Sequence, residues 1–425
     1  FYFTHVVMLI ERGSWGYSPG RFAEYMYPFY KKDKERGRID DEEAIELLEL
    51  LYIKFTEAAP MFSQIGFGQA MANLYQNISI GGVDKYGNDA TNELAYLILE
   101  AQYRVQLIQP TISVLHHDKM PDDLLLKAAE LVGTGIGMPA FFSNATNIQG
   151  LMEQGFSLED ARTHIILGCV ERSGSSVCCS QNNSMLSVPM MLTLALNNGK
   201  DPRNGKQLGA KTEDPEKFES YEELFDAVVK QIQHCLPLLL EFEETHCSFD
   251  AQYFPHPYAS ALIDDCIERG LDEYSGGARY SSNGYSPVGT IDIADSLASI
   301  KKLVFDEKKI TIAELKKALE ANFEGYDEIH RMCIEVPKYG NEDEYVDSIA
   351  QALYLAYAEE HLKHDDWLGR RSKVNAVSVT FHQALGARCG ALPCGRMAGE
   401  AFANGSVSAE SGMDIFRIFD SLNYL

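Results

Sequence analysis

Residues 164–174 read His164-Ile165-Ile166-Leu167-Gly168-Cys169-Val170-Glu171-Arg172-Ser173-Gly174. A short apolar run that ends on glycine and passes into small polar residues is the pattern of a strand entering a loop. Working outward, further apolar runs of strand length lie at 108–115, 290–293 and 374–381. Segments with helical periodicity separate them. Positions 41–58 carry Leu47, Leu48, Leu50, Leu51 and Ile53 behind an acidic start, and 121–132 opens on Pro121-Asp122-Asp123. Positions 221–244 form the longest helical candidate, with a kink or break expected at Pro237. Positions 312–322 and 343–363 complete the set. Such alternation predicts an α/β fold with largely parallel strands. No internal repeat or low-complexity linker interrupts it, so one continuous domain is expected.

Composition narrows the function. The chain has 425 residues, 45% of them hydrophobic, enough for a large buried core. Its 62 acidic against 37 basic residues give a formal charge of −25, which repels nucleic-acid phosphates and anionic membranes. No run is long and apolar enough to span a bilayer. The nine cysteines are odd in number and irregular in spacing, contain no C-x-x-C pair, and fit neither a disulfide framework nor a zinc site. A reducing cytoplasm is the expected location, with no metal. The chain starts inside an apolar run without Met, so it reads as cut from something longer.

Cys169 and Glu171 stand two apart. In an extended segment they would face one space, where a sulfur and a carboxylate could serve as nucleophile or radical centre and as general base. From that spacing alone, a small buried thiol and an unrelated surface acid are the commoner reading.

Further blocks decide between these readings. Gly168-Cys169-Val170-Glu171 resembles the cysteine loop of the glycyl radical enzymes, in the branch of diol dehydratases, choline lyase and arylacetate decarboxylases. Ser18-Pro19-Gly20-Arg21 and Tyr25-Met26-Tyr27-Pro28 are similar to the family's S-P-G-R stretch, and Asn77-Ile78-Ser79-Ile80-Gly81-Gly82 with Ala90-Thr91-Asn92-Glu93-Leu94 to its next block. Gln109-Pro110, Gly137-Met138-Pro139, Gly276-Gly277-Ala278 and Ala294-Asp295-Ser296-Leu297 follow in the family's order. Lys338-Tyr339-Gly340-Asn341 and Leu392-Pro393-Cys394-Gly395-Arg396 complete it. Each block is weak by itself; their common order is not.

The resemblance implies a ten-stranded barrel of two parallel five-stranded half-barrels surrounded by helices, here incomplete at both ends. It implies a partial barrel domain over 1–414 and a divergent or truncated tail over 415–425. It also implies a glycyl radical lyase: Cys169 becomes a thiyl radical that takes hydrogen from a small organic substrate, Glu171 is the base, and elimination or decarboxylation follows. No cofactor would be bound. The stored radical would sit on a C-terminal glycine, installed by an activating enzyme that uses S-adenosylmethionine and an iron–sulfur cluster. That enzyme, the substrate and a second copy in a homodimer are the partners implied.

The chain departs from the family pattern at several places. Trp15 and Gly16 replace the His and Ser that touch diol hydroxyls, Arg172 replaces a frequent Pro, Asn183 stands near the place of an assisting Asp, and Cys394 replaces the Asp of P-D-G-R. The first three turn the reading away from simple diols. Trp15 and Tyr17 would shape a less polar pocket or merely fill volume, and Asn182 and Asn183 would supply hydrogen bonds. Arg172 would hold a substrate carboxylate or play a structural part. No radical-glycine segment is found, so the chain resembles a central fragment expected to be inactive alone. Carbon–carbon cleavage of the formate acetyltransferase type is the alternative activity, disfavoured by Cys-Val-Glu. An inactive scaffold is the alternative outside catalysis.

Overall fold

Two three-stranded parallel sheets organise the computed structural model, which describes residues 2–12, 18–57, 76–168, 170–179, 183–281, 283–371, 373–378, 380–405 and 407–413. In chain order the strands are β1 Asn77–Gly81, β2 Thr111–His116, β3 Ala140–Ser143, β4 Ile165–Leu167, β5 Glu171–Ser173, β6 Cys178–Cys179, β7 Asn183–Ser187, β8 Tyr280–Ser281, β9 Gly284–Val288 and β10 Lys373–Val374. The chain divides into two compact units, each gathered from separate stretches: 1–181 with 247–283 and 367–371, and 182–246 with 284–366 and 372–425. Parallel sheets and helices make both units α/β, as the alternation predicts.

In the first unit the sheet order is β1-β2-β3, all parallel. Parallel neighbours need a crossover, which the helices Glu93–Val105 and Asp122–Val132 supply. Asn92 caps the first of these by accepting the Leu94 N–H, and Ser143 caps the helix Asn144–Glu153 by accepting that of Thr146. Ile78, Ile80, Ile112 and Val114 from the sheet pack with Ile98, Leu99 and Leu124 from the helices. Each such buried aliphatic side chain stabilises the fold by roughly 1.5–3 kcal/mol relative to exposure.

In the second unit the order is β10-β9-β7, again parallel. The helix Thr290–Ile300 follows β9 and packs on the helix Glu344–His361 through a core that includes Ile293, Leu297, Ile349 and Leu353. The strand expected at 290–293 is thus the first turn of a helix. All eleven residues of that helix are buried, so no polar face displays the 3.6-residue period, while Ile291-Asp292-Ile293 alternates as a strand would. The true strand lies just before it. Pro287 argues against a strand there, but it pairs only with Leu186, because β10 reaches no further than Tyr285. Of the strand expected at 374–381, only Lys373–Val374 forms among the described residues, and Phe381 begins a helix. The helix Tyr221–Tyr253 runs through Pro237 without a break.

Three of the quoted blocks converge around buried carboxyls in this unit. Asp292 accepts the Ala403 N–H with both oxygens (3.3 and 3.1 Å), and Asp295 accepts that of Tyr339 at 2.8 Å. The Ser296 hydroxyl accepts the Cys394 N–H at 3.2 Å. Burial pushes Asp292 up to about 6, Asp295 to about 7 and Glu410 to about 8, the neighbouring carboxyls adding to it for the last two.

Candidate active site

The decisive stretch folds as a hairpin. β4 and β5 are antiparallel, pairing Ile165 with Ser173, Ile166 with Arg172 and Leu167 with Glu171. The chain therefore reverses between Leu167 and Glu171, and Gly168 takes φ +62°, open to glycine without strain. The expectation that Cys169 and Glu171 share one face falls on Cys169, outside the described residues. Within β5 the alternation holds and sends Glu171 and Arg172 to opposite faces.

Glu171 is buried, and its Oε2 accepts the Val170 N–H at 3.0 Å. Arg172 lies against the helix Asn144–Glu153, so closely at Gly150 that an added Cβ would stand 2.8 Å from its Cζ. Burial draws the Arg172 guanidinium below its ordinary pKa, against the attraction of Glu153. Cys169, Trp15, Tyr17 and Asn182 lie outside the described residues, as do 414–425. Asn183 opens β7 opposite Gly284, its side chain likewise undescribed.

The hairpin is seated by residues whose role the sequence did not reveal. The N–H groups of Ile166 and Gly168 leave β4 on the edge away from β5. Ser79 Oγ accepts the first at 3.0 Å and Ser18 Oγ the second at 2.9 Å. Ser18 Oγ also accepts the Asn77 N–H at 3.2 Å, and Gly20 pairs with β1 through Gly20 N–H to Asn77 O and Ser79 N–H to Gly20 O. Arg21, buried, donates to the carbonyls of Gly81, Val83 and Arg162. Gly82, at φ +74°, leaves room for it: a Cβ there would lie 3.3 Å from Arg21 Nη1. A signal was present in the polar Asn77 and Ser79 alternating with Ile78 and Ile80 in a wholly buried strand.

His164 precedes the hairpin and is fully buried, Nδ1 donating to Ala161 O at 2.9 Å and Nε2 accepting from Asn147 Nδ2 at 3.3 Å. Burial brings its pKa down to about 4, only partly opposed by the Ala161 bond. The folded state then binds fewer protons than the unfolded one between pH 4 and 6.5, so this contribution is complete above pH 6.5 and lost as pH falls toward 4. His164→Gln is expected to remove roughly 2 kcal/mol of the acid-side loss in urea unfolding between pH 6.5 and 4.5. An unchanged acid slope would show that His164 does not carry it.

Among the described residues no group of three His, Cys, Asp or Glu side chains is arranged to hold a metal ion, and no helix is long and apolar enough to cross a membrane.

The family profile described as pyruvate formate lyase-like matches residues 1–386. The trans-4-hydroxy-L-proline dehydratase of Clostridioides difficile is 38% identical over 419 residues, covering 97% of this chain and 53% of the relative. The 4-hydroxyphenylacetate decarboxylase glycyl radical subunit of Clostridium scatologenes is 34% identical over 468 residues, covering 98% and 52%. The solved glycerol-bound form of the B12-independent glycerol dehydratase from Clostridium butyricum aligns with a TM-score of 0.92 at 35% identity, over 97% of this chain and 52% of that one. The fold is therefore shared with that enzyme, and the chain spans about half the length of the curated relatives it matches. With the profile covering most of its residues, the chain belongs to the pyruvate formate lyase-like family.

Proposed function

We propose that this chain carries the substrate-attacking half of a glycyl radical lyase, with Cys169 as the hydrogen-abstracting residue and Glu171 as the base. The observation that most supports this is the hairpin, which reverses the chain between Leu167 and Glu171 and buries the Glu171 carboxylate. A thiol and a carboxylate are the groups such chemistry requires of the protein. The glycyl radical supplies the unpaired electron that the cysteine sulfur carries. Abstraction by the Cys169 sulfur breaks a substrate C–H bond and forms S–H. Glu171 takes a proton from a neighbouring hydroxyl or carboxyl as the bond to the leaving group breaks. The product radical recovers its hydrogen atom from Cys169.

The substrate is a small organic molecule undergoing elimination or decarboxylation, in keeping with the dehydratase and decarboxylase among the relatives. Trp15, Tyr17, Asn182 and Asn183 line its site in this reading. The position of Arg172 across Gly150, on the hairpin face opposite Glu171, supports a part in seating the hairpin over contact with substrate. Both units belong to one family domain over 1–414, within a cytoplasmic homodimer charged by an activating enzyme that uses S-adenosylmethionine and an iron–sulfur cluster.

The test uses the full-length protein, activated without oxygen. Cys169→Ser is expected to keep the paramagnetic doublet and lose all turnover. Turnover that survives the substitution would sink the assignment.

A further inference from the structure

The two bonds that hold the β4 edge are unequal in place. Ser79 takes the N–H of Ile166, at the base of the hairpin, while Ser18 takes that of Gly168, the residue bonded to Cys169. On the far side of Cys169 the Val170 N–H is held by Glu171. The Ser18 oxygen has a second donor in the Asn77 N–H, and Gly20 pairs with Ile78 two residues on. The hydroxyl is therefore fixed to β1 before it meets the hairpin. A serine oxygen has two acceptor positions, and these two N–H groups suffice to occupy them.

We propose that Ser18 is a positioning residue for Cys169: by taking the Gly168 N–H it fixes the Leu167–Gly168 peptide, one residue before the cysteine, and ties that end of the turn to β1. This rests on the assignment of Cys169 made above. Reaction by hydrogen-atom transfer needs sulfur and substrate carbon in register, and a displacement of about 1 Å at a reacting group lowers rates by roughly a hundredfold. Ser79 holds the same strand three residues from the cysteine, so its loss leaves that end of the turn in place. The two serines make a matched pair: each takes one N–H from the same strand edge, one of them next to the cysteine in sequence and the other three residues before it.

The experiment compares Ser18→Ala, Ser18→Thr and Ser79→Ala in the full-length protein. Before activation, alkylation of Cys169 by iodoacetamide, followed by peptide mass spectrometry, is expected to be several-fold faster in Ser18→Ala than in wild type or Ser79→Ala. After activation, Ser18→Ala is expected to keep the radical doublet and KM while kcat falls about 10- to 100-fold. Ser18→Thr, which keeps the hydroxyl, restores both readouts. Ser18→Cys, of similar volume and a weaker acceptor, is read by the same criteria if the alanine variant does not fold. Wild-type kcat and alkylation in Ser18→Ala overturn the proposal, as does an equal kcat loss in both alanine variants. Cys169→Ser run beside them separates the two ideas. If it is inactive while Ser18→Ala is unaffected, only the positioning role fails; if it is active, the cysteine assignment fails.

Discussion

Glu171→Gln is expected to leave the radical doublet of the activated full-length protein intact and to lower product formation by about 10²- to 10⁴-fold, the usual range for loss of a positioned acid–base group. The substitution is informative because of what it preserves. Glutamine has the same shape, and its amide oxygen still accepts the Val170 N–H that Glu171 Oε2 takes at 3.0 Å. The hairpin therefore keeps the Val170 bond, while the side chain can no longer take up a proton as a carboxylate does. Cys169 alkylation should match wild type, which separates this variant from Ser18→Ala. Unchanged product formation would remove Glu171 from the chemistry.

The second large effect lies in the buried carboxyls of the second unit. Asp292, Asp295 and Glu410 are held above their ordinary carboxyl range, at about 6, 7 and 8, with burial as the main cause. The folded state therefore keeps protons that the unfolded chain has already released. Stability from these groups is complete below the unfolded carboxyl pKa, near 4, and is lost as pH rises through 6 to 8. The charges that face them are Lys338, which also donates to Cys333 O at 2.7 Å, and Arg396; Asp347 opposes. Glu410→Gln cannot ionise, so urea unfolding at pH 9 should show it roughly 3 kcal/mol more stable than wild type, with the difference nearly gone at pH 5. Parallel losses from pH 6 to 9 in the two proteins would exclude Glu410 as the source. Cys394 stands in this cluster where the family pattern has Asp. A thiol there spares the site a fourth carboxyl.

The α/β class was legible because helices such as Ile312–Glu320 bury one face, with Ile312, Leu315 and Ala318, and leave charged residues such as Glu314 and Lys317 off it. It failed where burial is complete. Thr290–Ile300 has no solvent face to betray its period, and β9 hides behind a proline that its short neighbour tolerates. The candidate site stood out as a motif and not as a shape. Gly168-Cys169-Val170-Glu171 marks the place, yet nothing local announces that the chain reverses there, because the antiparallel pairing depends on Ser173 meeting Ile165. The serine supports lie 87 and 150 residues from their partners, beyond any pattern that a window along the chain can register.

Most strand edges are joined by carbonyls, which every residue possesses and no substitution removes. The outer edge of β4 instead ends on two side-chain hydroxyls. Its attachment thereby depends on two side chains, and a single substitution at either can loosen it without changing the cysteine itself. The two hydroxyls thus divide the attachment, Ser79 holding the base of the hairpin and Ser18 its end.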